Sequence, residues 1–323
     1  SRAMAFLLQG IDGVQSYIDD CSVGTESLEE HVDAIRRMLR RFRLANLQIN
    51  PAKCNLLRKR LELLGIEVTK LGLHMKHRVR EKLMQMPRPT TAAEVRTYLG
   101  GIGFFRRWLP ELAILAKPFT DTQRKECWDP DAELQSSTCQ QAHENLMLLL
   151  SSDRLLHAPQ LGVNAGRYHV YTDASKWGIG AVLLQEQRGA DGVMKVVVIG
   201  FYSKVFQKKL QDWATFDLEC FAVIAALRHW RRYLFGNDFI VFTDSKVATH
   251  MMNKVHDPDK TPKLMRWATH IQTYMPFSIG FRKGVDNGGA DLLSRKSSFG
   301  EYVYRESDAV DQVPGLYEYL YSL

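Results

Sequence analysis

The chain has 323 residues with 45% hydrophobic content, enough to build two or three packed domains. It contains no run of eighteen apolar residues, so no membrane span is expected, and the opening SRAMAFLLQG is too short and abrupt for a secretory signal. The net charge of +7 is concentrated in residues 166–296, which carry 19 basic and 12 acidic side chains and so suit a polyanionic partner, whereas the tail 297–323 carries 1 and 5. Cys21, Cys54, Cys127, Cys139 and Cys220 are odd in number and show neither zinc-type pairing nor a disulfide framework, which points to a reducing intracellular setting, cytoplasmic or nuclear.

In chain order, a short apolar-polar stretch around Tyr17-Ile18-Asp19-Asp20 reads as a strand pair. Helical spacing follows from Glu26 to Leu47 through Leu28, Val32, Ile35, Leu39 and Phe42. LELLGIEV reads as a strand, with a turn at Thr69–Gly72 and a returning LHM. Met86–Pro89 interrupts, because X-Pro steps disfavour helix. Thr91 with Glu94 makes a capping-box start, and Val95, Leu99, Ile102, Phe105 and Leu109 form an apolar stripe that runs to Pro110. Arg96, Gly100, Gly103 and Arg107 share the opposite face, where two glycines between two arginines would let backbone approach a duplex.

A second helical stretch is expected over Ser136–Ser151, and His157–Gly166 reads as a linker. YHVYTD, GIGAVLLQ and VVVIGFYS then alternate like paired strands. They precede a helix from about Trp213 to Tyr233, the strand DFIVFTD, two further helical patterns, the strand FSIGFR and a short helix near Gly289. The pattern predicts an α/β (mixed α+β) fold: a mixed sheet with helices packed on it. The tail 297–323 is acidic and tyrosine-rich, and reads as a linker, docking segment or disordered end.

Four acids carry the chemistry. Asp173 (YTDAS) and Asp244 (VFTDS) end apolar strands and alternate with Tyr171 and His169, and with Phe242 and Ile240. Open α/β sheets place ligands at such strand ends. Glu219 lies on the apolar face marked by Phe216, Cys220, Val223 and Leu227, and no Lys or Arg falls at a fitting position on that face to offset it. Asp291 follows Gly288-Gly289 at a helix start, where an acid also offsets the helix dipole.

YTDASKWGIGAVLLQ, Leu218–Glu219, RRYLFGNDFIVFTDS and GVDNGGADLLSR resemble the RNase H domain of gypsy-type LTR retrotransposon polyproteins. The resemblance implies that Asp173, Glu219, Asp244 and Asp291 are metal ligands for two Mg²⁺ ions, with Mn²⁺ as an alternative, and that Asp173 bridges both. It implies hydrolysis of the RNA strand of RNA–DNA hybrids, with discrimination through 2′-hydroxyl contacts in the minor groove. The loop before Asp291 lacks the histidine of many cellular RNases H, a departure that bears on product release. Lys204, Arg282 and Lys283, with Lys208–Lys209 and Arg231–Arg232, are candidate phosphate contacts.

Upstream, Tyr17-Ile18-Asp19-Asp20 resembles the YxDD box of reverse transcriptases, INPAKC and LELLGIEVTKLGL the end of the palm and its primer-grip hairpin, and MPRPTTAAEVRTYLGGIGFFRRWLPELAILAKPF the thumb. The expected organisation is a partial palm (1–77), thumb and linker (78–164), RNase H (165–296) and tail (297–323). Only sixteen residues precede Tyr17, so Asp19 and Asp20 are expected to be polymerase remnants, with no polymerisation from this chain alone. A nucleic acid duplex is the expected partner, a second reverse transcriptase subunit a further one, and no membrane is involved. The competing reading is a non-catalytic or domesticated scaffold that binds nucleic acid or pairs with a full-length reverse transcriptase.

Overall fold

The computed structural model describes residues 2–124, 129–152, 154–162, 165–189, 192–207, 210, 212–243, 262–274 and 277–281. The chain divides into two compact units, Ser1–Arg58 and Lys59–Leu323.

In the first unit, α1 (Arg2–Leu8) leads into the antiparallel strands β1 (Val14–Tyr17) and β2 (Asp20–Val23), and α2 (Leu28–Leu44) follows. Ser27 and Glu30 close a reciprocal capping box at the start of α2. Leu8, Ile11, Val14, Ala34, Met38 and Phe42 form the core. The expected α2 stripe is thus out of phase: Phe42 is buried, but Leu28 is 66% exposed and Val32 and Leu39 also face solvent. The face that turns inward carries Ala34 and Met38 together with two arginines that cap α1. Arg41 donates to Leu7 O at 2.7 Å and Gln9 O at 2.6 Å, and Arg37 to Gly10 O at 2.9 Å, satisfying carbonyls that a helix end leaves without partners.

The second unit opens with the antiparallel strands β3 (Arg60–Leu63), β4 (Ile66–Thr69) and β5 (Leu73–Met75). LELLGIEV is therefore two strands, not one. Leu64 and Gly65 both adopt positive φ, 51° and 79°, which makes a two-residue hairpin turn inside the segment. The Thr69–Gly72 turn forms as expected, with Thr69 N–H donating to Gly72 O at 2.8 Å. A helix that the sequence reading did not include, α3 (His77–Met84), precedes the Met86–Pro89 break.

Then come α4 (Ala92–Gly103), α5 (Leu112–Leu115), α6 (Lys117–Thr122), α7 (Pro130–Leu134) and α8 (Ser137–Ser151). Thr91 Oγ1 accepts the Glu94 N–H, while Glu94 reaches back to the N–H of Thr90 rather than that of Thr91. α4 stops at Gly103, short of the expected Pro110, and the chain continues in tight turns through Trp108.

A five-stranded mixed sheet follows: β6 (Tyr168–Ala174), β7 (Gly178–Arg188), β8 (Met194–Val205), β9 (Phe239–Thr243) and β10 (Ser278–Phe281), in the spatial order β10-β9-β6-β7-β8. β6, β7 and β8 pair antiparallel, whereas β6, β9 and β10 pair parallel. Strand alternation sends Tyr171, Val182 and Phe201 to one face, where they pack with Ile102, Phe105 and Leu146 of the preceding helical segment. Val170, Ala181 and Leu183 go to the other face and meet Val223, Ala226 and Leu227 of α9 (Thr215–His229). The expected Trp213–Tyr233 helix is broken at Trp230, after which α10 (Arg231–Leu234) turns away; α11 (Pro262–Gln272) packs beside α9. The result is the expected mixed α+β architecture, a sheet flanked by helices.

Candidate active site and nucleic-acid interface

Asp173 is the penultimate residue of β6, opposite Gly180 of β7, and only 4% of it is exposed. Its alternation partner Tyr171 stacks on Phe242 of β9 with ring centroids 4.7 Å apart, which pins the end of β6 beside the end of β9. Glu219 sits in the second turn of α9 and is 3% exposed. Its Oε1 accepts the main-chain N–H of Ala174 at 3.2 Å, so the helix delivers its carboxylate to the residue next to Asp173. The adjacent Cys220 thiol is pushed up to about 12 by burial, reinforced by the charges of Asp217 and Glu219, and stays protonated at neutral pH. Asp173 and Glu219 both carry carboxylate oxygens, the hard donor type that Mg²⁺ prefers.

Asp244 follows Thr243, the buried last residue of β9, and lies outside the described residues, as do Asp291, Arg282, Lys283 and Lys208–Lys209. Among the described residues, no group of three His, Cys, Asp or Glu side chains is gathered to hold a metal ion.

The structure separates the proposed nucleic-acid residues by environment. Arg96 is exposed on α4, with Nε donating to Gln123 Oε1 at 3.2 Å. A Cβ added at Gly100 would meet nothing within 4 Å, and one at Gly103 only Arg106 Nη2 at 3.8 Å, whereas Gly101 is needed against Leu83 Cδ2 at 3.1 Å. Gly100 and Gly103 are therefore not required by internal packing. Arg107 lies beyond the end of α4 and does not continue its exposed face. It donates to Ile199 O at 3.2 Å, and its own carbonyl accepts from Phe201 N–H at 3.0 Å, which fastens the turn to β8. The Lys204 ammonium lies 5.8 Å from the Phe221 ring centroid.

Arg106 was not singled out by sequence. Extending α4 to Pro110 assigned the charged face to Arg107, while the early helix end leaves Arg106 exposed instead. Arg106, Arg107 and Arg232 converge near His229, which is pushed down to about 4 by desolvation and by these cations. His229 reaches solvent, yet its ring is covered by Tyr202 at 4.2 Å and Trp230 at 5.3 Å.

In the first unit, Tyr17 pairs with Asp20, and Ile18–Asp19 forms the hairpin turn. Tyr17, Ile18, Asp19 and Asp20 are all exposed there, with Ile18 at φ 54°, a conformation that a β-branched side chain disfavours.

Comparison with known proteins bears on both units. Residues 1–68 match the family model described as reverse transcriptase (RNA-dependent DNA polymerase). Residues 165–274 match the RNase H-like domain found in reverse transcriptase, a span that includes Asp173, Glu219 and Asp244. The chain is 31% identical over 287 residues to the retrovirus-related Pol polyprotein from transposon opus of Drosophila melanogaster, covering 86% of this chain and 27% of that protein. It is 28% identical over 300 residues to the transposon Tf2-3 polyprotein of Schizosaccharomyces pombe, covering 91% of this chain and 21% of that protein. The chain therefore spans about a quarter of the length of these curated relatives.

Among solved structures, the foamy viral protease-reverse transcriptase in complex with RNA/DNA hybrid matches with a TM-score of 0.70 at 18% identity, over 97% of this chain and 40% of that one. The same viral protein in complex with dsDNA matches with a TM-score of 0.69 at 19% identity, over 87% and 57%. At those identities the likeness shows the fold. The chain thus carries a reverse transcriptase segment followed by an RNase H-like domain, and the curated relatives it resembles are transposon polyproteins.

Proposed function

We propose that residues 165–296 form a ribonuclease H that cleaves the RNA strand of RNA–DNA hybrids, within a gypsy-type LTR retrotransposon polyprotein. The observation that carries this reading is the burial of two carboxylates at one strand end: Asp173, and Glu219, whose Oε1 accepts the N–H of the next residue, Ala174. Burying a carboxylate is costly, and two buried acids anchored at consecutive points of one strand end fit a site made for divalent cations. Asp173 and Glu219, with Asp244 and Asp291 completing the set, would hold two Mg²⁺ ions, whose chemistry when bound is to activate water and to stabilise the leaving oxygen. The protein's own contribution is positional. Glu219 is oriented by the Ala174 N–H, Asp173 is fixed at the end of a paired strand, and the stacked Tyr171 and Phe242 rings wall the strand ends.

The polyanionic substrate is met by the exposed α4 face of Arg96, Gly100 and Gly103, where glycines leave room for a duplex backbone, and by Lys204, Arg282 and Lys283. Asp19 and Asp20 resemble polymerase ligands, and polymerisation takes a further palm carboxylate beside them.

The test is a labelled RNA–DNA hybrid incubated with the protein and Mg²⁺. Cleavage of the RNA strand by the unmutated protein, abolished by Asp173→Asn or Asp244→Asn, is the expected result. A hybrid that is bound but left intact would overturn the reading in favour of a scaffold.

A further inference from the structure

A groove of about 300 Å³ opens between the turn that follows α4 and the last residues of β8. One wall is made by Gly103, Arg106, Leu112 and Ala113, the other by Phe201 and Ser203. Ser203 Oγ accepts the Ala113 N–H at 3.1 Å, which fixes the two walls against each other. The volume is at the small end of ligand pockets, which run from about 300 to 1,000 Å³.

Three observations define what the groove suits. The first is its level on the sheet. Asp173 pairs with Gly180, and Gly180 with Ser203, so the three residues form one row on one face. Two strand spacings separate Asp173 from Ser203, about 10 Å. The second is hydrogen-bonding capacity. β8 is an edge strand paired with β7, and the Phe201 N–H leaves β7 to meet Arg107 O at 3.0 Å. By strand alternation the Ser203 N–H, two residues on, points to the same open edge. The third is charge. Arg106 is exposed, its Nε donates to Gly103 O at 3.3 Å, and it makes no ion pair with a carboxylate among the described residues. Gly103 keeps this wall flat, since a Cβ there would meet only Arg106 itself.

The small apolar surfaces that the largely buried Leu112 and Phe201 leave at the groove, beside a guanidinium and a main-chain N–H, match a molecule with an apolar ring and an attached phosphate. We propose that the groove seats one nucleotide, with its phosphate on Arg106 and the Ser203 N–H and its base against Leu112 and Phe201. Resting on the ribonuclease reading above, this nucleotide belongs to the substrate strand beside the residue held at Asp173. The groove then anchors the strand a fixed distance from the cut and adds to hybrid affinity. A mononucleotide in solution carries the same chemistry, and the experiment separates the two sources.

Adenosine 5′-monophosphate is titrated by calorimetry into the full chain, and a fluorescent RNA–DNA hybrid is bound in an Asp173→Asn background, so that affinity is read without cleavage. Each is repeated with Arg106→Ala, with Ala113→Trp to fill the groove, and with Lys70→Ala as a control at an exposed turn. Arg106→Ala is expected to weaken binding about ten- to a hundredfold, and to lower the salt dependence of hybrid binding by about one counterion. Ala113→Trp is expected to weaken it comparably, with thermal melting confirming that the variant folds; Lys70→Ala is expected to change little.

Hybrid affinity that falls in both variants supports the strand-bound nucleotide, whether or not the monophosphate binds alone. Monophosphate binding that both variants abolish, with hybrid affinity unchanged, keeps the groove but overturns its place on the substrate strand. If neither probe responds to Arg106→Ala, the proposal is overturned. Failure of the ribonuclease reading would show separately, as an intact hybrid with the unmutated protein in Mg²⁺.

Discussion

Glu219 Oε1 accepts the main-chain N–H of Ala174 at 3.2 Å, and through that bond α9 is locked to the end of β6 at the residue after Asp173. The bond does two things at once. It satisfies a strand-end N–H, and it holds the Glu219 carboxylate against the main chain one residue beyond the buried Asp173. A glutamate on an otherwise apolar helix face would be a liability in a plain core; here one of its oxygens has a main-chain partner.

These two roles separate by substitution. Glu219→Gln keeps an oxygen for the Ala174 N–H but removes the charge, whereas Glu219→Ala removes both. Melted in EDTA, Glu219→Gln is expected to stay within a degree or two of the unmutated protein, and in Mg²⁺ it is expected to lose hybrid cleavage by about a hundredfold or more. Glu219→Ala is expected to lose cleavage and also to melt several degrees lower. An unsatisfied N–H costs about 1–3 kcal/mol, and each kcal/mol shifts Tm by about 2–4 °C in a domain of this size. Calorimetric melting and a single-turnover cleavage assay check both parts, and equal Tm for the two variants would refute the assignment of the bond.

The α4 glycines make a prediction of opposite sign for stability and binding. Gly100 is helical, and an added Cβ would meet nothing within 4 Å, so Gly100→Ala is expected to stabilise the protein by about 1 kcal/mol. If the face takes a duplex backbone, the same methyl group stands in the way, and hybrid affinity is expected to fall severalfold while Tm rises. Affinity that is unchanged or improved in Gly100→Ala would show that this face is solvent-facing surface.

The sheet could be read from sequence because β6, β7 and β8 carry long apolar runs with clear boundaries, and Glu219 stood out as an acid on an apolar face. Other features were hidden for physical reasons. α2 has two apolar stripes, and periodicity alone cannot choose between Leu28–Val32–Leu39 and Ala34–Met38–Phe42; the choice is made by Arg37 and Arg41 reaching the carbonyls at the end of α1. The turn in LELLGIEV depends on Leu64 adopting φ 51°, which its side chain does not advertise. The bond that ties Glu219 to the end of β6 goes to a main-chain N–H, that of Ala174, and leaves no trace in side-chain pattern. Arg106 was hidden by the early end of α4 at Gly103.

His143 supplies a pH prediction. Tyr98 OH lies 2.8 Å from His143 Nδ1, and the histidine is held below its ordinary value by burial first and by Arg88 second. The folded state thus binds fewer protons there than the unfolded chain, whose histidine titrates near about 6.5. Stability is therefore expected to fall as pH drops below that value, until the folded-state histidine is itself protonated. His143→Gln removes this contribution, so the Tm difference between variant and unmutated protein should narrow or reverse between about pH 7 and pH 5. A difference independent of pH across that window would show that His143 does not titrate in the folded protein as described.

Divalent metal gives the last prediction, because it separates a cation site from two carboxylates buried for other reasons. A cation that binds the folded state and not the unfolded chain stabilises by mass action, by about 2.7 kcal/mol when present at a hundred times its dissociation constant. The melting temperature in Mg²⁺ is therefore expected to exceed that in EDTA by several degrees, and to rise with the logarithm of Mg²⁺ concentration. In Asp173→Asn and Glu219→Gln this dependence should be lost or strongly reduced, because each removes one anionic donor of a hard-oxygen site. A metal effect of equal size in all three proteins would place the binding elsewhere, and no effect in any of them would refute the two-metal reading even if the hybrid is bound. The measurement needs neither substrate nor turnover, so it tests the carboxylate pair on its own terms.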